Sequence, residues 1–471
     1  MLIPRIYISA AHKSSGKTTL SIGLCAALNK QGFKVQSFKK GPDYIDPLWL
    51  TRASQRACHN LDFNTMSDCE ITDYLVRYGE GADISITEGN KGLYDGVALD
   101  GSDSNAAMAK LTQSPVVLVI DTRGVTRGVA PLLQGYQAFD EDVDIAGVIY
   151  NLSSGGRHEQ KLRAVTQEYT DIPVLGVVKT NHLLQIDERH LGLMPSNESQ
   201  DAVQKIDDIA NVVADSVDLE ALLAISNRSP ELEPSGYQEK NHSLKIPLKN
   251  TLRVGICEDP AFGFYYESDK QAFRDLGVEL VTINTLHDEK LPENLDGLFI
   301  GGGFPETQMQ ALADNTSMRY HIKKAIEEGL PTYAECGGLM YLSQSLHWNG
   351  QSVPMVGIIP ADAKMNATPQ GRGYVELQET ADNLWQVALN NEQPLKIIKA
   401  HEFHYSHLEN TEIDMLTKKG KFAYKVQRGV GITGEYDGWV YKNLLATYAH
   451  MRDTESFHWV QRFVEFIHKN K

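Results

Sequence analysis

Short apolar segments rich in β-branched residues recur along the chain, and each is followed by a turn containing Gly or Ser and then by a helical pattern. In the first half these segments are RIYISA, FKVQSF, ADISITEG, SPVVLVID, DIAGVIYN and IPVLGVV. Buried strands that alternate with helices form parallel sheets covered by helices on both faces. The first half is therefore predicted to be an α/β domain.

The periodicity disappears in SNRSPELEPSGYQEKNHSLKIPLKN, which collects Pro, Ser, Asn and charged residues as linkers do. A length of 471 residues also exceeds one ordinary core and favours two domains. Strands and turns resume with LRVGICED, VELVTIN, LDGLFIGGG and PTYAECGG, and the segments GYVELQ, IIKAHEFHYS and YKVQRG indicate an antiparallel portion. We expect α/β domains over 1–225 and 251–471, joined by a linker over 226–250.

The composition is that of a globular protein, with 42% hydrophobic and 23% charged residues and no run of 18 apolar residues. The first residues lack the pattern of a signal peptide, so we expect a cytoplasmic protein that does not span a membrane. A net charge of −16 disfavours nucleic-acid binding. The odd number of cysteines and the absence of metal-ligand spacing favour a reducing compartment. The cysteines are Cys25, Cys58, Cys69, Cys257 and Cys336.

Residues 11–18, AHKSSGKT, follow a predicted strand and begin a predicted helix, which is the context of a phosphate-binding P-loop. Main-chain N–H groups of the loop and of the helix N-terminus would hold the β and γ phosphates of a nucleotide. Lys17 would supply positive charge, and Thr18 would supply a hydroxyl ligand to Mg²⁺. Ala11 replaces the usual first glycine, and the alternative is a turn that only caps a helix.

Two acidic segments, KKGPDYIDP at 39–47 and TEGNKGLYDG at 87–96, follow predicted strands. In doubly wound folds, ligands bind at the carboxyl ends of the strands. Because Mg²⁺ prefers oxygen ligands, we expect Asp43 and Glu88 to hold it beside Thr18. The alternative for either acid is a solvated loop carboxylate. Weaker candidates, for contact with a substrate, are Tyr44, Asp46 and Asp95.

The segment AECGGLMYL has the form of a nucleophile elbow, in which a reactive side chain lies on a tight turn from strand to helix. Cys336 follows the predicted strand, and Gly337 and Gly338 let the backbone bend and a substrate approach. The helix dipole favours a thiolate here, and the N–H of Gly337 would point at an oxyanion. The alternative is a small buried hydrophobe, the commonest fate of a free cysteine.

A second glycine-rich turn, GLFIGGGFPE, ends another predicted strand and would supply the second oxyanion donor from Gly302 or Gly303. A nucleophilic thiol also needs a base. The candidate bases are, in order, His450 in LLATYAHMRD, then His401 and His404 in AHEFHYS. For His450 taken alone, a core histidine satisfied by hydrogen bonds remains the alternative.

Six motifs together resemble those of the cobyrinic acid a,c-diamide synthases, which are glutamine amidotransferases of the cobalamin pathway. SSGKTT, FKKGPDYIDP, EGNKGLYDG, GGGFPE, AECGGLMYL and HEFHYS occur in the family's order and cover nearly the whole chain. The resemblance implies an N-terminal P-loop synthetase domain related to dethiobiotin synthetase. It also implies a C-terminal class I glutamine amidotransferase domain with a flavodoxin-like fold, and a homodimer.

The resemblance assigns roles to the candidate residues. Cys336 is the implied nucleophile and His450 its base, with an oxyanion hole formed by Gly302 and Gly337. Many class I glutaminases carry a glutamate two residues after the catalytic histidine, but Arg452 stands here, so a Cys–His dyad is the expectation. The implied ATP-binding residues are Ser15, Gly16, Lys17, Thr18 and Thr19. The implied ligands of Mg²⁺ are Thr18, Asp43 and Glu88.

The implied reaction joins two half-reactions. Cys336 attacks the side-chain amide of glutamine, forms a thioester and releases ammonia. In the first domain, ATP phosphorylates a substrate carboxylate, because hydroxide or oxide is too poor a leaving group for ammonia to displace. Ammonia converts the acyl phosphate to an amide, and two acetate side chains of a polycarboxylate tetrapyrrole react in turn.

The identity of the tetrapyrrole stays open. Lys40 and the pair Asn90 and Lys91 stand where the family pattern usually has apolar residues, and added cations near the substrate could meet extra carboxylates. Sirohaem or another sirohydrochlorin derivative, such as nickel sirohydrochlorin, therefore competes with cobyrinate, and neutral drift at surface lysines is the alternative. The candidate substrate-binding residues are Lys40, Tyr44, Asp46, Lys91 and Asp95.

Two functions from other classes remain. A P-loop partitioning or switch ATPase with a degenerate glutaminase domain would hydrolyse ATP regardless of glutamine, but such ATPases carry a second lysine where this chain has His12. A non-catalytic tetrapyrrole carrier would bind the macrocycle without ATP turnover. The motifs at both chemical centres favour the enzyme, with L-glutamine as its other partner.

Overall fold

The computed structural model describes residues 2–189, 192–199, 201–233, 251–385, 397–409 and 420–471. The chain divides into two compact units, Met1–Tyr237 and Gln238–Lys471. The predicted linker begins at the last residue of a helix, and its residues 234–250 lie outside the described ranges. Within those ranges, no helix is both long and apolar enough to cross a membrane.

The first unit alternates strands and helices. Its strands β1 to β9 are Arg5–Ala10, Val35–Lys40, His59–Leu61, Ile84–Glu88, Val116–Asp121, Ile145–Ser153, Val174–Lys179, Glu188–Arg189 and Gly192–Leu193. Its helices α1 to α8 are Lys17–Lys30, Ile45–Ser54, Asp68–Gly79, Asn105–Leu111, Val129–Phe139, Gly156–Tyr169, Ala202–Ser216 and Leu219–Ser226, with a 3₁₀ turn at His182–Leu184. Seven strands form a parallel sheet in the order β3-β2-β4-β1-β5-β6-β7, which confirms the predicted α/β fold.

Helix α1 lies in the core of the first unit, where it packs against α2 and α7. A Cβ added at Gly23 would lie 2.4 Å from Cγ2 of Val213, so the two helices approach closely at a residue without a side chain. Side chains of α1 and of β1, β2 and β4 share one buried apolar cluster. This packing fixes the N-terminus of α1 at the carboxyl ends of the strands, where a doubly wound sheet binds ligands.

The second unit has a larger mixed sheet. Its strands β10 to β24 are Arg253–Cys257, Phe262–Phe264, Glu279–Ile283, Gly297–Ile300, Gly302–Gly303, Thr332–Glu335, Ser345–Trp348, Gln351–Pro354, Asp362–Met365, Gly371–Glu379, Ile397–His404, Ser406–Glu409, Lys421–Arg428, Tyr436–Tyr441 and Leu444–Thr447. Its helices α9 to α13 are Glu267–Asp275, Met309–Asp314, Thr316–Glu327, Gly337–Leu342 and Trp459–Lys469, with a 3₁₀ turn at Pro305–Gln308.

The nine-stranded sheet has the order β12-β10-β13-β15-β24-β23-β22-β19-β20. Pairs from β12 to β24 are parallel and those from β24 to β20 are antiparallel, which confirms the predicted antiparallel portion. Glu335, the last residue of β15, pairs with Thr447, the last residue of β24. The turn after β15 and the loop after β24 therefore begin side by side.

Candidate active site

The P-loop of the first unit depends on a glycine in a left-handed conformation. Gly16, with φ 82°, caps the N-terminus of α1, and a Cβ there would lie 2.2 Å from Nδ2 of Asn151. Asn151 donates from Nδ2 to the carbonyl of Ser15 at 3.0 Å. Sequence reasoning missed Asn151, whose signal is an amide near the end of the apolar segment DIAGVIYN. It braces the loop from β6, which lies two strands from β1 in the sheet.

Other residues of the loop differ in burial. The buried hydroxyl of Ser15 donates to the carbonyl of His12 at 2.7 Å, so this side chain supports the turn. Lys17 is largely buried, and burial lowers its pKa to about 8 although the carboxylate of Glu88 opposes the shift. Thr19 is partly exposed.

An acidic cluster lies beside the P-loop at the carboxyl ends of β2 and β4. Thr18 donates from Oγ1 to Oε1 of Glu88 at 2.6 Å and to Oδ2 of Asp46 at 3.2 Å. The predicted neighbours Thr18 and Glu88 are thus in contact, and Asp46, expected to touch substrate, lies with them. Asp43 is at the edge of the cluster, with Oδ2 3.8 Å from Nζ of Lys39.

Lys39, which sequence reasoning missed, is the buried cation of this cluster. Its Nζ lies 2.5 Å from Oδ2 of Asp46 and 3.0 Å from Oε1 of Glu88, and its side chain is 4% exposed. Burial alone would lower the pKa of Lys39, but the surrounding carboxylates raise it well above its usual value, so the lysine stays charged. Burial and the charge of Asp46 raise the pKa of Asp43 to about 7.

The donor set fits a hard divalent cation bound together with phosphate. Oxygen ligands are available from the Thr18 hydroxyl and from the Asp46 and Glu88 carboxylates, and Oε2 of Glu88 is buried without a hydrogen-bond partner among the described residues. The described residues hold no cluster of three or more His, Cys, Asp or Glu side chains arranged for a metal. Mg²⁺ commonly needs only one or two carboxylates because substrate phosphates and water complete its shell.

Lys40 points away from this cluster and is buried. Its Nζ donates to the carbonyl of Asp103 at 2.6 Å and to Oδ1 of Asn90 at 3.4 Å, and burial lowers its pKa to about 8. Tyr44 is also buried, as the N-cap of α2. Lys91 and Asp95 are exposed. Of the five candidate substrate-binding residues, these two are therefore the ones whose side chains are most available to a ligand.

Cys336 lies on a sharp turn between β15 and α12, in a strained conformation with φ 47° and ψ −99°. Its N–H donates to the carbonyl of Thr447 at 2.7 Å, which anchors the turn to β24. Strained non-glycine residues persist where the surrounding structure holds them, and they cluster at functional sites. The conformation is that of the predicted elbow, and a cysteine that merely fills the core has no need of it.

The two glycine-rich turns touch each other. A Cβ added at Gly338 would lie 2.2 Å from the carbonyl oxygen of Ile300, and one at Gly337 would lie 3.0 Å from the main-chain nitrogen of Gly303. The turn GLFIGGGFPE can therefore approach the elbow only because Gly337 and Gly338 of the elbow carry no side chains. A Cβ at Gly302 would lie 2.5 Å from Cε1 of His450.

His450 is the histidine in contact with the thiol. Burial alone would lower its pKa, but the neighbouring Cys336 thiol and Glu335 carboxylate outweigh burial and raise the pKa to about 10. The other two candidate bases stack on neighbouring rings. His401 stacks on the ring of His450 with centroids 4.9 Å apart, and His404 stacks on Tyr448 at 3.9 Å. The first-ranked candidate is therefore the one that the structure brings to Cys336.

Sequence reasoning also missed the carboxylate beside His450. Oε2 of Glu335 lies 3.4 Å from Nδ1 of His450, and both side chains are 3% exposed. Arg452, at the position where many class I glutaminases carry glutamate, instead packs its guanidinium over the ring of Tyr266 at 4.9 Å. The signal for Glu335 was an acid ending the apolar strand directly before the cysteine.

One unit carries a P-loop beside a carboxylate cluster, and the other carries an elbow cysteine beside a histidine. Together these two sites define an ATP-dependent glutamine amidotransferase. Residues 7–193 match the family described as CobQ/CobB/MinD/ParA nucleotide binding domain, and residues 253–455 match the CobB/CobQ-like glutamine amidotransferase domain. These matches confirm the two predicted domain types and the binding of a nucleotide by the first.

Relatives cover the whole chain. It is 41% identical to the cobyrinate a,c-diamide synthase of Magnetococcus marinus over 98% of this chain and 97% of that protein. The enzyme of the same name from Methanosarcina acetivorans is 38% identical over 95% and 92%, and that from Archaeoglobus fulgidus is 36% identical over 100% and 99%. The chain belongs to the cobyrinate a,c-diamide synthase family, as the six motifs predicted.

Proposed function

We propose that this chain catalyses the glutamine-dependent, ATP-driven amidation of the a and c acetate carboxylates of cobyrinate, in the cytoplasm and as a homodimer. The observation that carries the proposal is the presence of both chemical centres in one chain. Thr18 and Glu88 are in contact beside the P-loop, and the Cys336 thiol lies beside the His450 imidazole. Relatives that are similar along their whole length bear the name of this reaction.

The predicted glutaminase domain over 251–471, which lies within the second unit, supplies ammonia. The proton of the Cys336 thiol passes to His450, and the sulfur attacks the side-chain amide carbon of glutamine. Main-chain N–H groups of Gly337 and of the Gly302 and Gly303 turn stabilise the oxyanion. His450 returns the proton to the departing nitrogen, so that ammonia and a thioester form, and water hydrolyses the thioester to glutamate.

The predicted synthetase domain over 1–225, which lies within the first unit, activates the carboxylate. Loop N–H groups and Lys17 hold the phosphates of ATP, and Thr18, Asp46 and Glu88, with Asp43 at the edge, would hold Mg²⁺. Mg²⁺ bound there would neutralise charge on the β and γ phosphates. A substrate carboxylate oxygen attacks the γ phosphorus and ADP leaves. Ammonia attacks the resulting acyl phosphate, which gives the amide and phosphate.

The decisive experiment separates the two half-reactions. Purified protein is incubated with ATP, Mg²⁺, cobyrinate and either glutamine or excess ammonium, and product amides are counted by mass spectrometry. Cys336→Ser should abolish amidation with glutamine and preserve amidation with ammonium. A partitioning or switch ATPase would instead hydrolyse ATP at a rate that glutamine and this substitution leave unchanged, which would refute the proposal.

The same assay run with sirohaem tests the choice of macrocycle. The alternative rested on Lys40 and Lys91 as additional cations for substrate carboxylates. Lys40 is buried and donates within its own unit, which weakens that argument and leaves the exposed Lys91. We expect two amidations of cobyrinate and none of sirohaem. Light scattering of the purified protein tests the homodimer.

A further inference from the structure

The carboxylate of Glu335 lies where it can orient the catalytic imidazole. We propose that Glu335 is a positioning residue of the thiol site, which holds Nδ1 of His450 and so leaves Nε2 for Cys336. The inference rests on the proposed glutaminase activity and names a third member of its catalytic group. Such a carboxylate fixes the tautomer and stabilises the imidazolium that forms when the thiol loses its proton.

Each oxygen of the carboxylate has its own neighbours. Oε1 of Glu335 accepts hydrogen bonds from the hydroxyl of Tyr333 at 2.5 Å and from the main-chain N–H of Met451 at 2.8 Å. Oε2 lies 3.4 Å from Nδ1 of His450. Two donors therefore fix the orientation of one oxygen, and this orientation turns the other toward the imidazole.

The pairing of the strands explains why this acid reaches this histidine. Glu335 ends β15 opposite Thr447, which ends the parallel strand β24, and His450 follows three residues later. The donor Met451 is the residue after the histidine, so one segment carries the imidazole and also holds the carboxylate. A shift of either relative to the other would break both contacts.

Arg452 stands two residues after His450, so the histidine's own segment supplies no acid at that position. Its guanidinium lies over the ring of Tyr266, and it is close enough to Asp269 to affect the pKa of that carboxyl. In class I glutaminases with a glutamate at that position, the carboxylate follows the histidine. Here the carboxylate immediately precedes the nucleophile.

The charges around His450 also favour this role. Cys336 and Glu335 face it from the end of β15 and the elbow, and His401 stacks on it from β20. The positive charge of Arg452 reaches His401, and the carboxyl of Asp269 lies near Glu335. An imidazolium formed beside a second imidazole, with a guanidinium nearby, needs a negative partner, and Glu335 supplies it.

The test compares two buried glutamates of the second unit. Glu335→Gln keeps the shape and removes the charge next to His450. Glu402→Gln is the matched control, because Glu402 is 2% exposed, accepts main-chain hydrogen bonds from Val430 and Gly431, and lies 3.6 Å from a different histidine, His404. Glutaminase kcat and KM are measured from about pH 6 to pH 10.

For Glu335→Gln we expect kcat to fall about 100-fold with little change in KM, the size of a typical general acid–base contribution. The alkaline limb of the pH profile should move at least about one unit lower, because the imidazolium loses its partner. Glu402→Gln should leave both unchanged. An unmoved alkaline limb in Glu335→Gln, or the same shift in Glu402→Gln, would overturn the proposal.

Alkylation by iodoacetamide gives a readout that does not need glutamine turnover. Peptide mass spectrometry separates Cys336 from the exposed Cys69, and Glu335→Gln should slow alkylation of Cys336 alone. If wild-type protein lacks glutaminase activity, the proposed function fails while this arm still decides the role of Glu335. If Glu335→Gln does not fold, Tyr333→Phe decides, since it loses one hydrogen bond to the carboxylate. A smaller shift in the same direction supports the proposal, and no shift overturns it.

Discussion

Replacing Lys39 by methionine would remove a buried cation from among three carboxylates. Nζ of Lys39 lies 2.5 Å from Asp46, 3.0 Å from Glu88 and 3.8 Å from Asp43, and Glu88 is 1% exposed. Methionine preserves most of the volume, so the change acts chiefly through charge. Breaking a buried ion pair by removing one partner costs about 3–5 kcal/mol, because the remaining charges stay buried without compensation.

The loss should depend on pH with a definite sign. Burial already raises the pKa of Glu88, and the pKa of Asp43 is about 7 with Lys39 present. Without the lysine both should rise further, so the folded variant binds protons that the unfolded chain does not. Proton binding stabilises the variant as the pH falls. The loss of folding free energy relative to the wild type should therefore be largest at about pH 8 and smaller at about pH 5.5.

Hydrogen exchange measures this deficit locally, which matters in a chain with two units. The free energy of opening is read from peptides covering Val35–Lys40 and Ile84–Glu88. The control is Lys30→Met, which removes an ion pair to Asp207 whose side chains are 41% and 49% exposed. Such a surface pair contributes under about 1 kcal/mol. A deficit for Lys39→Met no larger than that of the control, or one independent of pH, would refute the reasoning.

Three further predictions concern the same two sites. Gly16→Ala should raise the KM for ATP at least about tenfold, because the added methyl group meets Asn151 and a left-handed alanine costs about 1–2 kcal/mol. The control is Gly32→Ala, where the glycine is also left-handed but the added methyl group meets open space. This substitution should lower stability and leave the KM for ATP unchanged. Calorimetry should show ATP binding weakening between about pH 7 and pH 9, as Lys17, with a pKa of about 8, loses its charge; Lys17→Arg should abolish that dependence. Gly302→Ala places a Cβ 2.5 Å from the imidazole and should abolish glutamine-dependent amidation while ammonium-dependent amidation persists.

The features that sequence reasoning found depend on neighbours along the chain. A strand, a turn and a helix in succession identify both the P-loop and the elbow, so Lys17 and Cys336 needed no long-range information. Long-range information was needed to decide whether Lys39 or Lys40 faces the P-loop. Side chains alternate along β2, and Lys39 is in phase with Val35, which packs in the cluster that contains α1. Lys39 therefore faces the P-loop side, and Lys40 faces the other.

Glu335 was missed for a related reason. The face of β15 on which the Glu335 side chain lies follows from the alternation of side chains along the strand. Its partner does not follow from the sequence, because His450 lies more than a hundred residues away and reaches Glu335 only through the pairing of β15 with β24. The position two residues after the histidine, where an acid was expected, holds Arg452. Long-range strand register, which local patterns do not encode, decides which carboxylate meets which base.

The positive φ of Cys336 has a consequence for anyone who engineers this protein. A cysteine held at φ 47° and ψ −99° costs on the order of 1–3 kcal/mol, which a glycine at the same place would largely avoid. Libraries screened only for heat resistance or expression yield would therefore enrich chains that have lost the nucleophile. Directed evolution of this enzyme should select on turnover and robustness together, since the residue that destabilises the turn is the one that starts the reaction.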